Sequence, residues 1–241
     1  MKAMGESKTR ETVFRFKEFE VKNDLSAMKV GTDGVLLGAW CSVADARRIL
    51  DVGTGSGLIA LMLAQRFPNA MITAIDISQE AVEEASYNVI NSPWADRITV
   101  YCKDFLAMDD LTDGYDVIVS NPPYFSDSLE APDESRTIAR HSATLDYTHL
   151  IAKSAGGLLN KDGVLAMISP VEREKDIEEA VIWHKMSILK KVMIFTSHKK
   201  KIPKRILWEI STNCDSLRKE EYLYLDSDEY KNMTYAFYLD K

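Results

Sequence analysis

The sequence predicts an α/β fold, a mostly parallel sheet with helices on both of its faces. Three observations predict it. Short apolar runs alternate with stretches whose apolar residues recur at helical spacing. The apolar runs have the character of strands buried on both sides, as a parallel sheet requires. Apolar residues make up 46% of the 241-residue chain, enough for one domain with a sizeable core.

The elements follow in order. MKAMGESKTRE is polar and lacks the apolar stretch of a signal peptide, so residues 1–12 are expected as a flexible tail. Residues 13–22, VFRFKEFEVK, alternate apolar and charged and then change register, as in a short strand pair. The Gly-Thr-Asp-Gly run at 31–34 reads as a loop opening a short helix at Asp33, whose carboxylate is suited to cap it. From residue 47 the pattern becomes regular. RRILDVG is a strand, LIALMLAQRF a helix, MITAIDI a strand and QEAVEEASYNVINS a helix. ITVYCKD, YDVIVS and GVLAMIS are further strands, with helices expected near His149–Leu159 and Glu172–Lys185. ILKKVMIFTS and RILWEIST lack a long helix between them and are expected as an antiparallel pair at the sheet edge. No linker divides the chain, so 1–241 is expected as one domain, with 13–46 as an N-terminal segment and 47–241 as its core.

Composition narrows the function. Cys41, Cys102 and Cys214 are scattered without CxxC spacing, which argues against a disulfide framework and fits a reducing cytoplasm. The four histidines are dispersed, so no metal is expected. No apolar run approaches the roughly 20 residues of a membrane span. The net charge of −7 argues mildly against nucleic-acid binding, yet Lys185–Arg205 holds eight basic residues and no acid, ending in HKKKIPKR. This run is either a solvated stripe or a phosphate-facing patch.

The first βα turn is DVGTGSG, carrying Asp51, Gly53, Gly55 and Gly57. Glycines there allow a sharp bend and close approach to a ligand at the carboxyl ends of the strands. Leu58 breaks the GxGxxG spacing of a dinucleotide site and disfavours a dehydrogenase. Asp76 ends the next strand, where an acid can accept hydrogen bonds from ribose hydroxyls, and Ile77 follows it. Asp104 and Phe105 follow the third strand as a carboxylate and ring suited to an adenine. Each has a plain alternative: a turn glycine, a capping aspartate, a core phenylalanine. Together they resemble the class I S-adenosylmethionine-dependent methyltransferases. That resemblance implies a Rossmann-like, mostly parallel seven-stranded sheet with a short N-terminal extension. It also implies S-adenosyl-L-methionine as cofactor, its methionine part, ribose and adenine held at these three places in turn.

The fourth strand ends in Asn121-Pro122-Pro123-Tyr124. The lone pair of an aromatic amine is delocalised, and two acceptors aimed at its N–H groups would localise and direct it. The Asn121 side chain and the Pro122 carbonyl are such acceptors, the prolines fixing the backbone without offering an N–H. Tyr124 offers a stacking face worth about 1–3 kcal/mol. NPPY in this setting resembles enzymes that methylate planar amino groups, N6 of adenine or N5 of glutamine.

FRFKEFEVKNDLSAMKVGTDGVLLGAW, INSPWADRI, SNPPYF and the terminal AFYL are together similar to the bacterial tRNA1(Val) (adenine(37)-N6)-methyltransferase family. The resemblance implies methylation of a flipped adenine 3′ to a tRNA anticodon, with the anticodon stem-loop as partner and no metal, membrane or obligate protein partner. It further implies that 13–46 covers the cofactor, with Lys29, Thr32 and Asp33 among its contacts. The long polar stretch Phe125–Tyr147 is expected as a substrate lid. Arg136, Arg140, His141, Lys199, Lys200, Lys201, Lys204 and Arg205 are the candidate tRNA contacts. The nearest rival is a release-factor glutamine methyltransferase, disfavoured because only about 45 residues precede the first core strand. A DNA adenine methyltransferase lacks room for a target-recognition region, and a non-catalytic cofactor- or RNA-binding scaffold is excluded only by activity.

Overall fold

The computed structural model describes residues 12–26, 29–41, 45–108, 114–123, 145–213 and 219–239. Tyr124, Arg136, Arg140, His141, nearly all of the expected lid and residues 1–11 of the expected tail lie outside these residues.

Among the described residues, ten strands form two sheets. β1 (Val13–Arg15) and β2 (Glu20–Lys22) are a small antiparallel pair, as the change of register predicts. The main sheet holds β3 (Arg48–Val52), β4 (Met71–Asp76), β5 (Ile98–Cys102), β6 (Tyr115–Ser120), β7 (Leu159–Pro170), β8 (Ser187–Phe195), β9 (Arg205–Ser211) and β10 (Lys219–Tyr224). Their spatial order is β10-β8-β9-β7-β6-β3-β4-β5. Only β9 runs against the rest.

Two expectations need correction. The sheet has eight strands, not seven, and the antiparallel pair β8–β9 is not its edge, because β10 adds in parallel outside β8. KEEYLY concealed this strand. It is an edge strand with three charges at its start, so it shows neither a buried run nor clean alternation.

Alternation along the strands builds two cores. Ile49, Val117, Ala166, Ile168 and Leu207 face α1 (Thr32–Trp40) and α2 (Leu58–Arg66). Leu50, Val52, Ile118, Leu165, Met167 and Trp208 face α4 (Tyr147–Lys153) and α5 (Glu174–Trp183). α3 (Gln79–Ile90) follows β4, and α6 (Asp228–Thr234) follows β10. Both faces are covered, which is why the strands read as continuous apolar runs.

The distinctive INSPWADRI segment is a structural device. Arg97 donates to the carbonyls of Ala64, Phe67 and Ala70 at 2.7–3.1 Å and so closes the C-terminal end of α2. Trp94 sits edge-on to Phe19, their ring centroids 5.5 Å apart, and anchors the N-terminal segment. The terminal AFYL has a similar role: Lys17 N–H donates to the Phe237 carbonyl at 2.8 Å, and Tyr238 stacks on Phe16.

Candidate active site at the carboxyl edge of the sheet

The turn from β3 into α2 makes the floor of the site. Gly53, Gly55 and Gly57 have φ of +70°, +56° and +81°, a region closed to most side chains. A Cβ on Gly53 or Gly55 would find no atom within 4 Å, so the loop faces open space. The N–H groups of Gly53 and Thr54 both donate to the Ile75 carbonyl, at 2.9 and 3.0 Å, pinning the loop to β4.

Asp51 is fully buried beneath this floor. Its Oδ2 accepts from Thr54 Oγ1 at 2.7 Å and from the Ala60 N–H at 3.1 Å, while its buried Oδ1 has no partner among the described residues. Burial pushes its carboxyl up to about 7, against the two hydrogen bonds and with help from the nearby Asp76 charge. Asp76 accepts from the Gly55 N–H at 2.9 Å and the Ser78 N–H at 3.0 Å, and so shapes the rim. Ile77 next to it is 73% exposed, an apolar side chain left open at the edge. Asp104 caps the short turn Phe105–Ala107 by accepting from the Leu106 N–H at 2.9 Å. Phe105 is 3% exposed and belongs to the core, so its ring offers no face at the edge.

These features fit S-adenosylmethionine: an open glycine floor, a buried carboxylate oxygen without a partner, an acid at the rim and an apolar side chain beside it. No cluster of metal-ligating side chains occurs among the described residues. No helix among them is long and apolar enough to cross a membrane.

The N-terminal segment is tied into this floor by two residues of α3 that sequence reasoning missed. Asn88, 2% exposed, accepts from the Lys22 N–H and donates to the Lys22 and Ser56 carbonyls, all at 2.8 Å. One amide therefore joins β2 to the glycine loop. Glu84 accepts from the N–H groups of Asp24, Leu25 (2.7 Å) and Ser26 (2.9 Å). Burial pushes its pKa up, but the hydrogen bonds from Ser26, Leu25 and Asp24 outweigh it and hold the carboxyl below its usual range. A polar pair at helical spacing on an otherwise amphipathic helix was the available signal.

Lys29, Thr32 and Asp33 sit differently from expectation. The Lys29 ammonium is turned into its own loop, donating to the carbonyls of Asn23, Asp24 and Ser26 at 2.9–3.2 Å. Thr32 is the exposed first residue of α1. Asp33 lies inside the first turn, and Gly31 is the residue at the cap position; the Oδ2 of Asp33 accepts from Arg205 Nε at 2.8 Å, across 172 residues of sequence. The charge at the start of β9 outcompetes a local cap.

β6 brings the Asn-Pro-Pro motif to the same edge. Val52 and Ser120 are in register, and Ser120 Oγ donates to the Val52 carbonyl at 2.8 Å. Asn121 therefore leaves its strand next to the strand that runs into Gly53, about 4.8 Å away across the ladder. Asn121 is half-buried, Pro122 buried and Pro123 exposed.

The basic run divides. Lys191 is 3% exposed and bonds Glu174 and Glu178, Lys190 pairs with Glu221 at 3.0 Å, and Arg205 holds Asp33. Lys199, Lys200, Lys201 and Lys204 are exposed and form no ion pair among the described residues. They occupy the loop between β8 and β9. Because β8 runs with β6 and β9 against it, this loop opens on the same edge as Asn121.

The methyltransferase small domain model matches residues 26–192. A tRNA1(Val) (adenine(37)-N6)-methyltransferase of Bacteroides thetaiotaomicron is 45% identical over 232 residues, covering 94% of this chain and 97% of its own. One of Phocaeicola vulgatus is 46% identical at the same coverage. Among solved structures, a protein of Agrobacterium tumefaciens described as a predicted O-methyltransferase superposes with a TM-score of 0.68 at 19% identity, covering 85% of this chain and 96% of that one. Its likeness is one of fold. Matched over most of its length in these ways, the protein belongs to the methyltransferase small domain family and, within it, to the tRNA1(Val) (adenine(37)-N6)-methyltransferases.

Proposed function

We propose that this chain transfers a methyl group from S-adenosylmethionine to N6 of a flipped adenine in tRNA, the adenine 3′ to the anticodon of tRNA1(Val). The observation that carries the reading is the register of Val52 with Ser120, which sets Asn121 beside the glycine floor.

Gly53, Gly55 and Gly57, bare of side chains, let the methionine part approach the loop backbone closely, and the partnerless Oδ1 of Asp51 accepts a donor there. Asp76 takes the ribose hydroxyls, Ile77 a face of the adenine, and Asp104 its edge. The bound cofactor supplies an electrophilic methyl group on a sulfonium. Asn121 Oδ1 and the Pro122 carbonyl accept from the two N–H groups of the target amine, and Tyr124 stacks on its ring. As the amine nitrogen bonds to carbon its N–H groups become more acidic, so both hydrogen bonds strengthen toward the transition state. The methyl–sulfur bond would break as the new bond forms, its electron pair staying on the sulfur of the departing thioether, and the methylated amine would give its extra proton to water. N6 lies at a base edge inside the stack, so the nucleotide leaves its stack to reach the methyl donor.

The test is transfer of labelled methyl to unmodified tRNA and, in parallel, to a release factor, followed by digestion. Label is expected in N6-methyladenosine. Label in glutamine of the factor would replace this reading with protein methylation.

A further inference from the structure

The corner where β8 and β10 end holds a feature that methyl transfer does not use. Phe195 and Tyr224 are paired in register, their rings stacked at 5.0 Å and 26°. His198 stacks on Tyr224 at 4.2 Å and 11°. Its Nδ1 lies 2.7 Å from Asp226 Oδ1, and its backbone N–H donates to both Asp226 oxygens at 3.1 and 3.2 Å. The imidazole is thus fixed in place, yet its side chain is 60% exposed. Its second face and Nε2 have no partner among the described residues. Tyr222, two residues back on the same face of β10, is 58% exposed.

Lys199, Lys200 and Lys201 follow His198 directly, in a turn closed by the Lys200 N–H on the Ser197 carbonyl at 3.0 Å. The acids nearby are largely spoken for: Asp226 by His198, Asp228 by Lys231 at 2.8 Å, and Glu221 by Lys190. A ring clamped on one face, open on the other and followed by three cations matches a base and its flanking phosphates. A protein partner has no such repeating need for a flat face beside anionic groups. β10 lies four strands from β6, about 19 Å at 4.8 Å per strand, on the edge that holds Asn121.

We propose that the His198–Tyr224 stack is a second RNA contact, holding an unpaired base of the substrate outside the crevice while Lys199, Lys200 and Lys201 meet its phosphates. It rests on the reading that the substrate is RNA, and it goes beyond the cofactor and catalytic positions.

The test is fluorescence anisotropy with a labelled anticodon stem-loop, which needs no methylation. H198A should weaken binding at least about 5-fold, the lower bound for losing one stacked base. Its slope of log affinity against log salt should stay that of wild type, because stacking releases no counterions. H198W should restore affinity although it cannot bond Asp226 as histidine does, and cofactor affinity serves as the check on folding. Unchanged RNA affinity in H198A, or equal loss in H198W, would overturn the stack. So would a wild-type protein that binds a release factor and no RNA. A wild type that methylates tRNA while H198A binds it normally sinks the stack alone. A wild type that binds RNA through His198 without methylating it sinks the proposed reaction alone.

Discussion

The two halves of the carboxyl edge are built by different means. The half over β3, β4 and β5 is made of backbone: three glycines at positive φ, two N–H groups on one carbonyl, and carboxylates that brace the turns. The half over β6, β8, β9 and β10 is made of side chains on loops, brought together from residues far apart in sequence, as Asp33 and Arg205 are. The first half leaves little room for change because its conformations are closed to most residues. The second tolerates change at Lys199, Lys200, Lys201 and Lys204, which are exposed and make no ion pairs among the described residues.

Substitutions can break or sharpen this contrast. The largest effect is expected at the junction. Asn121→Ala should slow single-turnover transfer by about 10²–10³-fold or more, the cost of one preorganised polar group, with cofactor affinity nearly unchanged. Near-normal transfer would remove Asn121 from the chemistry.

Gly55→Ala should come next. The loop has space for a Cβ, so the chain still folds, losing about 1–2 kcal/mol to the left-handed conformation. The added methyl projects into the cofactor's volume, and isothermal titration should show cofactor affinity falling by an order of magnitude or more while RNA affinity holds. Equal losses of both ligands would mean that the halves are not separate.

Asp51 gives a pH test. Its folded-state pKa is raised from 3.8 to about 7, so the stability it contributes is fully present below pH 4 and lost as pH rises through 7. At 1.36 kcal/mol per unit this is at most about 4 kcal/mol. Glu84, Asp116 and Asp146 are shifted down and act oppositely, below their usual range, so they do not obscure this window. In cofactor-free protein, Asp51→Asn should flatten the fall in melting temperature between pH 5 and 8. A fall as steep as wild type would locate the titrating group elsewhere.

The smallest effect on the cofactor half should come from reversing charge at Lys199, Lys200 and Lys201. RNA affinity should drop, and the salt slope should shrink by about 0.7 for each phosphate no longer neutralised, with cofactor affinity untouched. An unchanged slope would show that these lysines do not meet the backbone.

The same contrast decides how much the sequence revealed. The glycine floor was legible because a positive φ is a local requirement that names its residue. Asp76 was legible because strand ends recur at a readable interval. Asp104 and Phe105 were legible as a pair, but not that Asp104 caps a turn and Phe105 lies in the core: such residues look the same in sequence as an adenine contact. The partners of Lys29 and Arg205, three loop carbonyls and Asp33, were not legible because they are set by tertiary contact. Glu84 and Asn88 were not singled out, since the segment they hold, residues 22–26, has no strong pattern. β10 was missed because its exposed, charged start hides the two tyrosines that make it useful.

The reversed direction of β9 has a consequence for how this protein can diversify. The loop 196–204 leaves and re-enters the sheet on one edge, so its length sets no strand register. Doubling such a loop costs only about 0.6 kcal/mol in closure entropy. Its sequence is therefore a graftable cassette: it can be lengthened, recharged or exchanged to address a different RNA while the catalytic core keeps its inherited form.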